Sequence, residues 1–300
     1  MTKEQISQRF EELQAKIVRD LESLDGKIKF TTDLWKREEG GGGATKVGAN
    51  GNVIEKGGVA FSAVHGEVTE VMKRQLNLDG DDFFATGVSI VLHPNNPFVP
   101  IIHMNVRYFE LNDGTYWYGG GIDLTPHYID EQMAKQFHIR LERICAKYNK
   151  DFFPKFKAQA DDYFFIPHRN ETRGIGGIFF DHLDEKCGIS KNDIFNFCIQ
   201  LGEDFPSIYS EQVLSGKDIA FDELNIEWRN HRRGRYVEFN LVNDRGTKFG
   251  LFSGGRTESI LMSLPPTAQW TYCHPIKEKS KEQQTLYKLK KGIDWLSLGG

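Results

Sequence analysis

The sequence predicts an α+β fold, with a single domain over residues 1–300 built on one large, mainly antiparallel β-sheet flanked by helices on both faces. Most candidate strands follow one another through short turns, as antiparallel strands do. Candidate helices occur at both ends and in the middle of the chain, and no linker or internal repeat divides it. Hydrophobic residues make up 39% of the chain, which is enough for a sizeable core.

The first half of the chain begins with an amphipathic helix. Thr2 and Gln5 form a predicted capping box, and apolar residues at helical spacing continue to Gly26. Residues 27–32 are a predicted strand, and the four glycines at positions 40–43 lack the GK[ST] sequence of a phosphate-binding loop. We therefore expect a flexible loop there. A strand from Val53, a helix over residues 67–76 and a strand over residues 84–92 follow.

The central stretch, residues 93–126, carries the strongest functional signal. Alternation over residues 99–110 predicts a strand that presents His103, Asn105 and Arg107 on one face. The following strand, residues 115–124, contains glycines at positions 119–121, which favours close approach by a ligand or another backbone. A titratable ring, an amide and a planar cation beside glycines indicate a site for a broad, flat molecule. A solvated sheet face would explain the polar residues alone.

The second half alternates helices and polar segments. Asp130 caps a predicted helix whose end is marked by Pro154, and Ser190 caps another. The glycines that follow Arg173 precede a strand instead of following one, which argues against a dinucleotide site. Four arginines over residues 229–235 indicate substrate entry, a subunit contact or simple solvation. Residues 236–241 and 247–252 predict a hairpin with Asp244 at its tip, and residues 277–296 predict a closing helix.

Composition narrows the class of protein. A net charge of -4 gives no reason to expect nucleic acid or an anionic membrane as a partner, so local arginines must hold any anionic substrate. The four cysteines form no CxxC pair and are typical of reduced thiols. No apolar run reaches the length of a transmembrane segment, and the N-terminus lacks a signal-peptide core. We therefore expect a cytoplasmic protein.

Five segments together resemble one known family. HMNVRYFE, WYGGGIDLTPHY, HRNETRGIGGIFFD, EFNLVNDRGTKFGL and SGGRTESILMSLPP are similar to the oxygen-dependent coproporphyrinogen III oxidases, in collinear order over residues 10–296. One departure is visible, since Gln159 and Ala160 stand where the family signature has Trp-Cys. The resemblance implies conversion of two propionates of coproporphyrinogen III to vinyl groups, with O2 as co-substrate, giving protoporphyrinogen IX, CO2 and hydrogen peroxide without an organic cofactor. It also implies a homodimer.

The resemblance further implies particular site residues. The matched catalytic residues are His103, as a proton donor, and Asp244 with Arg245, which would anchor or deprotonate pyrrole N–H groups. The matched substrate-binding residues are Ser89, Asn105, Val106, Arg107, Asp123, Arg173, Gly254, Gly255 and Arg256, with the arginines on propionates. If a divalent metal is required, its matched ligands are His93, His103, His138 and His168, which show no compact ligand spacing.

Two other classes of protein use the same residues differently. A metal-dependent hydrolase or oxygenase would use the four histidines as ligands, and stoichiometric bound metal would favour it. A porphyrin-binding carrier would use the arginines without Asp244, and it would bind the macrocycle without consuming O2.

Overall fold

The computed structural model describes residues 1–70, 72–73, 80–252 and 254–298, and these form an antiparallel sheet with helices on both faces, as the sequence predicts. Seven strands pair in the order β1-β2-β3-β4-β5-β6-β9, and β7 pairs with β8 in a separate ribbon. The strands are β1 (Thr31–Lys36), β2 (Gly41–Ala49), β3 (Ile54–Glu67), β4 (Asp82–Pro94), β5 (Ile101–Leu111), β6 (Tyr116–Thr125), β7 (Phe165–Ile166), β8 (Glu171–Thr172) and β9 (Gly176–Leu183).

Helices precede, interrupt and follow these strands. They are α1 (Lys3–Asp25), α2 (Glu131–Ala146), α3 (Phe152–Tyr163), α4 (Lys191–Gly216), α5 (Glu223–Glu238), α6 (Arg245–Phe252), α7 (Thr257–Leu261) and α8 (Lys281–Lys288), with a 3-10 turn at Glu185–Cys187 and a π-helical turn at Phe239–Asn243. Helix α1 has the predicted capping box, and Gly26 ends it in the left-handed conformation at φ 75°.

The main core lies between one face of the sheet and helices α1 to α4. From β5 it receives Ile102, Met104 and Val106, which are fully buried, because alternate side chains of a strand point to the same face. The aromatic rings of α3 and α4, such as Phe156 and Phe197, pack against β9 there. The predicted division of residues 99–110 into a packing face and a polar face is confirmed.

Among the residues that the structure describes, helices cover the second face of the sheet at its margins. Tyr236 of α5 packs on Val91 and Ile101, and Met262, just after α7, lies against Gly58. Phe249 of α6 packs beside the aromatic cluster at the far end of β4, β5 and β6. The polar residues of β5 therefore lie on a floor that helices α5, α6 and α7 border.

The four glycines at positions 40–43 are not a flexible loop. Gly41 to Gly43 open strand β2, where Gly43 pairs with Trp35 on one side and Ser62 on the other. A Cβ atom on Gly43 would lie 2.6 Å from the Trp35 ring, so the ring occupies the space that a side chain would need. The expectation was wrong because close packing, not mobility, requires glycine at this position.

Residues 236–252 are helical instead of the predicted hairpin. The chain runs from α5 through the π-helical turn into α6, and Asp244 lies between the two helices. Short apolar runs do not distinguish a strand from a helix by period alone. Both edges of the sheet are formed by other segments, β1 and β9, so no strand of the main sheet pairs with this part of the described chain.

Three smaller boundaries also differ. Pro154 lies in the first turn of α3, where a missing N–H costs nothing, and α2 already ends at Ala146. The closing helix covers only Lys281–Lys288. The strand predicted over residues 27–32 begins only at Thr31, and the helix predicted over residues 67–76 falls partly on positions 71 and 74–79, outside the described residues.

The proposal of a single domain over residues 1–300 stays a prediction. Within the described ranges, none of the helices is long and apolar enough to cross a membrane.

A buried carboxylate ties the end of α1 to the start of β3. Asp25, which is 4% exposed, accepts hydrogen bonds from the backbone N–H groups of Ile28, Asn52, Val53 and Ile54 at 2.8–2.9 Å. Burial alone would raise the pKa of Asp25, but these four N–H groups outweigh it and hold the pKa below its ordinary value.

We predict that Asp25→Asn lowers the free energy of unfolding by about 2 kcal/mol at neutral pH, because an amide NH2 cannot accept these bonds. The folded-state pKa of Asp25 is depressed, so its contribution is present above the unfolded pKa of about 3.9 and is lost as pH falls through the folded value. Urea unfolding at several pH values measures both effects. Asp20→Asn, at an exposed pair with Lys16, is the control, and an equal loss in both variants would contradict the prediction.

Candidate functional site

The open face of the sheet forms a floor of small and polar side chains. In register across it, Asn105 pairs with Ser89 on β4 and with Gly121 on β6, and the row continues through Ala60 to Thr45 on β2. The neighbouring row places Gly87 and Gly119 on either side of Arg107. Five strands at about 4.8 Å spacing give a floor about 19 Å across. This confirms that the polar face of β5 and the glycines of β6 lie together.

His103 lies on this floor and is oriented by a buried acid. Its Nδ1 is 2.8 Å from Oδ1 of Asp123, the residue directly opposite on β6. Asp123 is fully buried, whereas the His103 side chain is 23% exposed. An ionised carboxylate only accepts hydrogen bonds, so Nδ1 carries the proton and Nε2 is left for a ligand.

Arg173 fixes Asp123 from the other side. Its guanidinium donates from Nη2 to both oxygens of Asp123, at 2.7 and 2.9 Å, and from Nη1 to Oδ1 of Asn240 at 3.0 Å. The rings of Phe164, Tyr236 and Phe239 lie 4.4–4.8 Å from the guanidinium carbon. Arg173 is 2% exposed, and this geometry favours holding Asp123 over the expected contact with a propionate.

These contacts decide the charge of Asp123. Complete burial alone would raise the pKa of the carboxyl group, but the charge of Arg173 and the hydrogen bond from His103 hold the pKa below its ordinary value. Asp123 is therefore ionised at neutral pH. The three residues form a chain in which Arg173 keeps Asp123 charged and Asp123 keeps His103 in one tautomer.

Arg107 is a partly exposed cation on the same floor. Its Nη1 donates to Asn105 at 2.9 Å, and its Nη2 lies 2.9 Å from Oδ1 of Asp181 on β9. A Cβ atom on Gly119 would lie 2.7 Å from this guanidinium. On β4, a Cβ atom on Gly87 would lie 3.0 Å from Cα and Cβ of Arg107. Gly119, one of the three glycines predicted to admit a ligand, thus first makes room for Arg107.

Arg256 provides a second cation at the opposite side of the floor. Its guanidinium pairs with Asp33 on the edge strand β1 and donates to Ser259 at 3.3 Å. Ser259 in turn lies 2.7 Å from the hydroxyl of Thr45, in the row that leads to Asn105. Thr45 and Asn105 are three strand spacings, about 14 Å, apart. Two cations therefore flank an open floor.

Asp244 is held at the start of α6. Its Oδ2 accepts from the backbone N–H and hydroxyl of Thr247, at 2.7 and 2.6 Å, and its Oδ1 accepts from the hydroxyl of Tyr163 at 2.6 Å. Burial would raise the pKa of Asp244, but these donors hold it below its ordinary value. Each carboxylate oxygen has two acceptor sites, so Oδ1 retains room for a ligand N–H. Arg245 is exposed and lies over the Tyr163 ring, 5.1 Å from its centroid.

The remaining predicted binding residues are less central. Val106 is fully buried in the main core, on the opposite face, so its side chain does not reach the floor. Gly254 and Gly255 were expected to follow the end of a strand, but they connect helices α6 and α7. Gly254 has a φ of 74°, which favours glycine, and Gly255 donates its N–H to Gly250.

The four histidines predicted as metal ligands do not meet. His93 is buried and bonds through Nε2 to the carbonyl of Ser263, while His138 is buried in the main core, where burial lowers its pKa to about 4. His168 is exposed and pairs with Glu238. Among the described residues, no group of three or more His, Cys, Asp or Glu side chains is arranged to hold a metal ion. The residues present therefore do not fit the expected ligand set.

The arginine-rich segment over residues 229–235 is mostly internal. Arg232 and Arg233 of α5 are 1% and 0% exposed, and they pair with Glu171 and Glu55 respectively. Solvation and substrate entry were therefore wrong expectations for these two side chains. Arg233 attaches α5 to strands β3 and β4, and Arg232 attaches it to the ribbon of β7 and β8.

Three residues near the floor are not among the predicted site residues. Tyr163 reaches Asp244 from α3 and stacks on Phe179 at 4.0 Å between ring centroids. Asp33 and Asp181 pair with the two exposed cations. The spacing of these residues along the chain carries no signal of their pairing.

Together, the fold and the floor have the geometry expected of an enzyme site for a broad ligand that carries carboxylates. The family model described as coproporphyrinogen III oxidase matches residues 5–295, and the chain belongs to that family.

Curated relatives agree over most of the chain. The proteins named oxygen-dependent coproporphyrinogen-III oxidase, mitochondrial, from Mus musculus and Rattus norvegicus are 47% and 46% identical over 95% of this chain. The Homo sapiens protein of the same name is 46% identical over the same share. The chain spans about two thirds of their length, at 67%, 67% and 65%.

We predict that Asp123→Asn lowers the free energy of unfolding by about 3–5 kcal/mol, because it leaves Arg173 buried without a counter-charge. Asp123 has a depressed pKa in the folded state, so this difference is present above the unfolded pKa of about 3.9 and shrinks as pH falls through the folded value. Chemical unfolding of both proteins measures it. Asp181→Asn, at a half-exposed pair, is expected to change stability by less than about 1 kcal/mol, and equal effects would contradict the assignment.

Proposed function

We propose that this protein catalyses the oxygen-dependent conversion of two propionate groups of coproporphyrinogen III to vinyl groups, giving protoporphyrinogen IX in haem biosynthesis. Family membership supports the reaction, and the names of the relatives specify the substrate and O2 dependence. The structural observation that carries the proposal is that the His103–Asp123 pair lies on the same open floor as Arg107, its neighbour on β5, and Arg256 at the opposite side.

The floor suits this substrate physically. A porphyrinogen is a wide macrocycle whose propionates extend from its rim. Cations at opposite sides of a floor about 19 Å wide can therefore bind propionates at two opposite edges of the macrocycle at once. Small side chains at Ala60, Ser89 and Gly121 leave the space above the sheet free. Asn105 and Ser89 add polar groups beneath the rings.

The reaction divides into steps that side chains assist. Each propionate loses CO2 from its carboxylate and one hydride equivalent from its β carbon, the one attached to the pyrrole, and O2 takes that hydride and one proton to become hydrogen peroxide. In this proposal Asp244 accepts a pyrrole N–H at Oδ1, which increases the electron density of that ring. His103, as an imidazolium whose Nδ1–H stays bonded to Asp123, supplies the proton from Nε2–H. The electron-rich pyrrole substitutes for an organic cofactor.

The assignment of Arg173 differs from that of Arg107 and Arg256 in this mechanism. Arg107 and Arg256 contact propionates because they are partly exposed on the floor. Arg173 acts as a positioning residue, since its guanidinium is enclosed by Asp123, Asn240 and three aromatic rings.

We include a homodimer and a cytoplasmic location in the proposal. Four apolar side chains at the end of α4 and the start of α5 are 44–72% exposed, which supports a contact with a second copy: Leu214, Ile219, Phe221 and Leu224. All four cysteines are free, as expected in a reducing compartment.

We predict that coproporphyrinogen III yields protoporphyrinogen IX in air but not under strict anaerobiosis. The product is measured as protoporphyrin fluorescence after chemical oxidation, with hydrogen peroxide measured in parallel. Binding of the macrocycle without O2 consumption would instead favour the porphyrin carrier.

We predict that a chelator leaves aerobic turnover unchanged, because His93, His138 and His168 are not placed to share an ion with His103. The measurement is turnover before and after treatment with EDTA and metal-free dialysis. If turnover were lost on chelation and restored by adding one divalent metal, the prediction would be contradicted and the metal-dependent class favoured.

We predict that His103→Gln lowers kcat by about 100-fold or more with a much smaller change in KM, because the glutamine cannot transfer a proton. Steady-state kinetics in air give both constants. His65→Gln serves as the control, since His65 is exposed and lies off the floor. A His103→Gln enzyme with normal kcat would exclude His103 as the proton donor.

A further inference from the structure

Both exposed cations of the floor are already paired with acids of this chain. Arg107 lies 2.9 Å from Asp181, and Arg256 lies 2.5 Å from Asp33. The side chains of these pairs are 30–55% exposed, in contrast to the enclosed pair of Arg173 with Asp123. A substrate carboxylate that takes the same N–H groups of either cation therefore displaces an acid.

Such displacement is energetically easy. A half-exposed ion pair contributes little to stability, because water solvates both charges well when they separate. Arg107 keeps its separate hydrogen bond to Asn105 during an exchange of partners. The acids are thus placed to leave and return without disturbing the floor.

Asp181 shares a cavity with other cationic side chains. It lines a cavity of about 490 Å³ at the ends of β6 and β9, and Lys155 and Lys186 line the same cavity. When a ligand carboxylate takes Arg107, the Asp181 carboxylate is left in water on the wall of a cavity that two lysines also line. This reduces the repulsion between Asp181 and the arriving anion.

We propose that Asp33 and Asp181 are exchangeable counter-ions, each displaced by the carboxylate of a substrate propionate and re-paired with its arginine when that carboxylate leaves as CO2. This inference rests on the proposed function and deepens it. The acids weaken binding of the tetracarboxylate substrate selectively, because only a ligand carboxylate competes with them. They also free the end of the macrocycle that has lost its carboxylate, since the arginine there regains a partner.

The test compares two stable macrocycles of the same size. Coproporphyrin III has four carboxylates and protoporphyrin IX has two, and neither undergoes the reaction. Their equilibrium dissociation constants are measured by quenching of protein fluorescence for the wild type, Asp33→Asn, Asp181→Asn and the double variant.

We predict that each Asn variant binds coproporphyrin about two- to fivefold more tightly and that protoporphyrin binding is nearly unchanged. The two sites are far apart, so the double variant is expected to show the product of the two changes. Asp181→Glu restores the charge and is expected to bind like the wild type.

Glu211→Gln is the matched control. Glu211 pairs with Arg140 between α2 and α4 at similar exposure, away from the floor, and its loss is expected to change neither constant. A general effect of removing negative charge would tighten both porphyrins in proportion to their charge, and it would overturn the exchange. Unchanged binding of coproporphyrin in both Asn variants would also overturn it.

Failure of the proposed function can be distinguished from failure of the counter-ion exchange. If the wild type binds coproporphyrin, shows the expected changes in the Asn variants and yet converts no coproporphyrinogen, the exchange stands and the oxidase assignment falls. If the wild type binds neither porphyrin, both fall.

Discussion

The buried ion pair between Asp123 and Arg173 is the constraint on which the site depends. A fully buried carboxylate is stable only with a matched cation, and Arg173 supplies one with two bonds from Nη2. Gly176 and Gly177, at φ values of 73° and 155°, let the chain turn from Arg173 into β9 directly beside β6. The glycine-rich segment that superficially mimics a nucleotide motif thus brings a cation to Asp123.

The arginines of this chain serve two different purposes. Arg232 and Arg233 are buried with acidic partners and attach α5, as Arg173 is buried with Asp123. Arg107 and Arg256 are exposed enough to change partners. Exposure therefore separates cations that hold the fold from cations that can hold a substrate, because only the latter remain solvated and replaceable.

The helical segment around Asp244 shows how the border of the floor is built. Leu241, Val242 and Phe252 are exposed there, so the apolar pattern that suggests a strand does not mark core positions. Asp244 instead accepts hydrogen bonds at the start of α6, an ordinary role for an acid at a helix N-terminus. The same carboxylate reaches Tyr163, which connects that helix to α3 beside the floor.

The sequence by itself determined the strands with strict alternation, the caps of α1, α2 and α4, and the shared face of His103, Asn105 and Arg107, because these depend on local period and local hydrogen bonds. The family resemblance added the candidate catalytic and substrate-binding residues. Only the tertiary structure decided that Arg173 is buried and Arg107 partly exposed. It also decided that Asp33 pairs with Arg256 and Asp181 with Arg107. Burial and ion pairing join residues distant in the chain, and no local pattern records them.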